Sequence, residues 1–97
     1  MTTMSTEIAD IVISLNGRDA GKRFVVIGVE DGYSLIANGK GRRYEKPKRK
    51  KNKHLKIENK LDDKVAEKLI EGEKATNNEL RRALAAYAAA IESEGGM

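Results

Sequence analysis

The sequence predicts a mostly β fold with α structure toward its C-terminal end: a small antiparallel β-barrel followed by a two-helix hairpin. Three observations predict it. Short β-branched runs punctuated by glycine turns fill residues 8–57, an apolar period of about four residues begins near Lys60, and the chain has only 97 residues. That length admits one compact domain and excludes the common catalytic barrels and doubly wound folds. Leu, Ile, Val and Phe together supply 21 of the 97 residues, enough for a thin core.

Residues 1–7 are predicted to be disordered. Residues 8–15 read as a strand, β-branched at 8, 11, 12 and 13 and stopped by Asn16-Gly17. Residues 22–30 form a second strand whose Gly28 signals a bulge or sharp bend. Asp31-Gly32 predicts a two-residue type I′ turn, with positive φ at both positions, into a third strand over 33–37. Asn38-Gly39 predicts another such turn into a strand over 42–46, ended or kept at an edge by Pro47, and residues 54–57 predict a last short strand. Short strands and tight turns in about fifty residues suit a barrel better than a two-layer sandwich.

From Lys60 the reading is helical. Leu61, Val65 and Leu69 recur every four residues, with acidic residues near the start, and the helix is predicted to end at Gly72. Asp62 and Asp63 do not converge on a metal and read as helix-terminal charge. Thr76 and Glu79 have capping-box spacing, and Leu80, Ala83, Leu84, Tyr87 and Ile91 mark one face of a second helix stopping before Gly95-Gly96. The hairpin spans 60–94. Its apolar stripe is expected to pack within the chain; because its alanines bury little area, a weak protein contact through residues 83–91 is the alternative.

The net charge of +4 hides an uneven distribution. Residues 1–39 carry −2 and residues 57–97 carry −3. Residues 40–56 hold Lys40, Arg42, Arg43, Lys46, Lys48, Arg49, Lys50, Lys51, Lys53 and Lys56 against Glu45 alone, a surplus of +9. Such a segment attracts polyanions. A solvated loop is the plain alternative, but the run is bounded by strands and contains Tyr44, Pro47, His54 and Leu55, which suggest a fixed path.

No enzyme signature is legible. With one histidine and no cysteine there is no nucleophile-base pair, no thiolate metal site and no cofactor motif. His54 has no second histidine to help it hold a metal and reads as a stacking or phosphate-contacting side chain. The stretch G-R-D-A-G-K at 17–22 lacks the spacing and following helix of a phosphate-binding loop, and reads as a turn that clusters Arg18, Lys22 and Arg23. The absence of cysteine, of a signal-like start and of a long apolar run predicts a cytoplasmic protein with no membrane contact.

The stretch I-V-I-S-L-N-G-R-D-A-G-K-R-F-V-V-I-G-V-E-D-G-Y-S-L-I-A-N-G-K, followed by R-R-Y-E-K-P-K-R-K-K-N-K-H-L-K-I, resembles a KOW-motif domain. Specifically, it is similar to bacterial KOW-domain RNA-binding proteins that resemble a eukaryotic and archaeal large-subunit ribosomal protein. K-L-I-E-G-E-K-A-T-N-N-E-L-R-R-A-L resembles the helical extension of those bacterial members. At Phe24 the general pattern has glycine, a departure that favours the ribosomal-like branch and puts a close approach of RNA backbone there in doubt. The resemblance implies an SH3-like barrel and binding to ribosomal RNA, in or beside the large subunit.

The expected RNA contacts are therefore Arg18, Lys22 and Arg23 on one loop. With them stand Lys40, Arg42, Arg43, Lys46, Lys48, Arg49, Lys50, Lys51, Lys53 and His54, while Tyr44 is either a stacking or a packing residue. The alternative is a protein-interaction adaptor in translation or transcription, docking through the barrel or the alanine-rich helix, with nonspecific nucleic-acid affinity.

Overall fold

The structure, a computed structural model, describes residues 5–95. Five antiparallel strands form one sheet, β1 (Asp10–Ser14), β2 (Arg23–Glu30), β3 (Tyr33–Ala37), β4 (Lys48–Lys51) and β5 (Leu55–Lys60). They lie in the order β4-β3-β2-β1-β5, and α1 (Lys64–Ile70) and α2 (Asn77–Gly95) follow. The fold is thus mostly β with C-terminal α. The sheet is not closed by a β4–β5 pairing among the described residues.

Strand alternation divides the apolar residues between two faces. Val12, Phe24, Val26, Ile36 and Leu55 form a core inside the curl of the sheet. Ile11, Val25 and Ala37, one residue out of phase, face the other way and pack with Leu61, Val65, Leu69, Leu80 and Ala83 of the helical segment. Phe24 is 1% exposed and belongs to the inner core. Its bulk fills the interior.

Several elements depart from the sequence reading. The first strand begins at Asp10 because Ala9 has φ 77°, and Asp10 N–H donates to Glu7 O in a turn. Residues 1–4 of the expected disordered segment lie outside the described residues. Thr6, by contrast, is 4% exposed and donates to Ser34 Oγ, which donates in turn to Asn52 Oδ1. A buried polar chain ties that segment to β3.

The β2–β3 hairpin forms where expected, with Glu30 opposite Tyr33, but only Gly32 of its two turn residues has positive φ. It is not a type I′ turn. The predicted bulge is present: the β2–β3 register shifts between Val26 and Gly28, and a Cβ on Gly28 would press on the Leu35 side chain.

Residues 42–46 are not a strand. Asn38 Oδ1 accepts from the backbone N–H of Lys40 and Arg42, which folds residues 38–47 into a loop. The strand starts one residue after Pro47, where the missing N–H costs no ladder bond, and Lys48 pairs with Ile36. A 3₁₀ turn over Asn52–His54 then leads into β5, which continues to Lys60 rather than stopping at 57.

The first helix is shorter than predicted because Asp63 is its N-cap, accepting from Ala66 N–H at 3.1 Å. Leu61 precedes the helix and reaches the same core. At its end, Glu73 N–H donates to Lys68 O and Gly72 N–H to Leu69 O, a Schellman closure with Gly72 at φ 84°. The capping box of α2 is complete, Thr76 N–H meeting Glu79 Oε1 and Glu79 N–H meeting Thr76 Oγ1.

Candidate nucleic-acid interface

The antiparallel order brings two expected RNA-binding segments to one end of the sheet. The β1–β2 loop, residues 15–22, leaves from that end, and because Val25 lies opposite Ala37 the 38–47 loop does too. Arg18, Lys22, Lys40 and Lys46 are exposed there, and Arg42 is half-buried. Lys51, opposite Tyr33, lies at the far end of β3, about 13 Å away at 3.3 Å per residue. Lys53 is exposed and His54 half-buried on the 3₁₀ turn, where His54 O accepts from Leu15 N–H and holds the turn against the first loop. Among the described residues, none of these eight side chains has a carboxylate partner within 4.0 Å.

Other expected contacts are engaged within the fold. Lys50 is 7% exposed. Lys48 and Lys50 pair with Ile36 and Ser34, whose side chains face inward, so the two-residue period sends these lysines inward as well. Lys50 Nζ donates to Ser14 Oγ and Asn16 O, and burial lowers its pKa from the usual lysine range. It is a structural strap, not a surface contact. Lys48 Nζ lies 2.8 Å from Asp19 Oδ2, a bond that holds the Asp19 carboxyl below its ordinary range.

Arg49 points outward, pairs with Glu30 and stacks 3.6 Å over the Tyr33 ring. Arg23 forms a two-pronged pair with Glu58, at 2.6 and 3.4 Å, and lies 5.5 Å from the Tyr87 ring, tying β2 to β5 and α2. Arg43 is 3.7 Å from Glu45, with both side chains mostly exposed, so this pair is weak. The acids that temper the basic run therefore come from loops and strands. Tyr44 packs against the helix-side core, which fits its packing role.

The position of the 38–47 loop is set by α2, which the sequence reading did not foresee. Asn77, 9% exposed, accepts from Tyr44 N–H at 2.7 Å and donates to both Glu45 oxygens at 2.9 Å. The Asn77 bond, ahead of the other causes, lowers the Glu45 pKa from its usual value. Arg81 Nη1 donates to Gly39 O at 2.9 Å. Gly39 has φ 76°, and a Cβ there would collide with Asn77 O. Asn77 and Arg81, four residues apart, share one helix face, which the sequence shows without showing what that face meets.

No described helix is long and apolar enough to cross a membrane. Neither a protein-family model nor a curated protein matches this chain.

Proposed function

We propose that the chain is a non-enzymatic RNA-binding module, its curled sheet an SH3-like barrel of the KOW kind. In this reading it contacts ribosomal RNA as a ribosomal-protein-like or ribosome-associated factor in translation, in the cytoplasm. One observation carries the proposal: cations that serve the fold are paired or buried, whereas Arg18, Lys22, Lys40 and Lys46 gather on two adjacent loops with no ion-pair partner among the described residues. Unpaired cations on a rigid support neutralise phosphates without first breaking internal bonds. The arginines add planar donors suited to phosphate oxygens.

The test is binding to large-subunit ribosomal RNA across a salt series. With about six phosphates engaged, affinity falls on the order of a thousandfold between about 50 and 200 mM salt. Replacing Arg18, Lys22, Lys40 and Lys46 with alanine flattens that dependence and leaves the melting temperature nearly unchanged. Absence of binding at low salt, or a flat salt response in the unaltered protein, overturns the proposal. A partner retained after nuclease digestion, with no RNA affinity, points instead to a protein adaptor.

A further inference from the structure

The 57–97 segment carries net negative charge, which argues against a nucleic-acid contact on the helices. The folded chain redistributes that charge. Lys74, in the link between the helices, and Arg81, on the second turn of α2, face a cleft of 610 Å³ whose other wall is Arg43, Tyr44 and Glu45. Three cations line it against one carboxylate, and that carboxylate is engaged by the Asn77 amide.

The cleft does not stand alone. It shares Arg43 and Glu45 with a second hollow of 500 Å³ formed with Gly41, Arg42 and Lys46. It shares Arg81 with a third, of 310 Å³, reached by Arg23, Asn38 and Lys40. The first and third lie on the seam between the 38–47 loop and α2, and the second opens beside them within the loop itself. A chain of open, cation-lined hollows matches spaced phosphates along a strand better than a single small anion, which is best held by converging donors in an enclosed pocket.

We infer that the seam between the 38–47 loop and the start of α2 is an RNA-backbone groove, in which Lys74 and Arg81 of the helical segment contact phosphates together with Arg43. This rests on the RNA-binding reading and extends it to a segment whose net charge has the wrong sign. Arg81 has a structural duty as well, its Nη1 being spent on Gly39 O, so Lys74 is the cleaner probe. Lys74 is exposed and has no carboxylate within 4.0 Å among the described residues.

The experiment compares Lys74→Ala with Lys64→Ala, an equal loss of charge at an exposed lysine of the same segment that does not line the seam. Binding of both variants to large-subunit ribosomal RNA is followed over a salt series, with melting temperatures as a check on folding. Lys74→Ala is expected to weaken binding severalfold and reduce the log–log salt slope by about one, with Lys64→Ala unchanged. An unchanged slope in Lys74→Ala, or equal changes in the two variants, overturns the groove while leaving the RNA-binding proposal intact. An unaltered protein that ignores the RNA overturns the earlier proposal itself.

Discussion

Lys50 Nζ lies 2.6 Å from Ser14 Oγ, joining an edge strand to the end of a strand three places away in the sheet order. Across a flat sheet that separation is about 14 Å at 4.8 Å per strand, beyond the reach of a lysine. The bond therefore requires a sheet curled on itself, and it closes one end of the inner core. A residue that charge alone assigns to the surface is part of the fold.

Lys50→Ala is expected to destabilise the protein by about 2 kcal/mol, since it removes charged hydrogen bonds to Ser14 Oγ and Asn16 O in a buried setting. Lys51→Ala, one residue on and exposed, is expected to stay within about 0.5 kcal/mol of the parent. Urea denaturation of the two variants measures the contrast, and equal losses would show that Lys50 is not a strap.

Acid should weaken the fold in a defined window. The hydrogen bond from Arg23 holds the Glu58 carboxyl below its ordinary 4.5, and that from Lys48 holds Asp19 below its ordinary 3.8. Because these folded-state values are depressed, their contribution is complete above the unfolded values and drains away as pH falls through the folded ones. Thermal melts from pH 7 to 2 should show the loss beginning near pH 4.5, and Glu58→Gln should reduce it.

Asn77→Ala should release the 38–47 loop at a cost of about 1–2 kcal/mol, through the partner lost to Tyr44 N–H at the buried Asn77 side chain. The Glu45 carboxyl should then rise toward its ordinary value, read by NMR titration, with its own backbone hydrogen bond and Arg43 still holding it somewhat below. Hydrogen exchange at the Tyr44 amide should quicken. A Glu45 titration identical to the parent's would refute the pinning.

Gly39→Ala and Gly32→Ala separate strain from collision. Both glycines have φ near 75°, but only at Gly39 does an added Cβ strike backbone, the carbonyl of Asn77, while Gly32 has open space. Gly32→Ala should cost about 1 kcal/mol and Gly39→Ala at least about 3 kcal/mol, measured by chemical denaturation.

Much of the fold was legible in particular residues. The β-branched runs at 11–13 and 25–27, the Asp31-Gly32 hairpin, the Gly28 bulge and the Thr76–Glu79 capping box were each found where local chemistry put them. The strand placed before Pro47 was misread because Asn38-Gly39 resembles a hairpin turn, whereas Asn38 Oδ1 instead caps two amides of a longer loop. The candidate site was legible as a charged segment and not as a surface. A run of lysines in a strand alternates sides, so Lys48 and Lys50 turn inward while Arg49 and Lys51 stay out.

Composition and local pattern were enough to determine that this chain makes short strands, then helices, with its positive charge concentrated in the middle, because turn chemistry, periodicity and charge act over a few residues. Only the tertiary structure decided which cations remain unpaired, that Asn77 and Arg81 hold the basic loop, and that Lys74 faces it. Those outcomes depend on contacts between residues some thirty to forty positions apart, which no local pattern encodes and which arise only when the sheet curls and α2 packs against it.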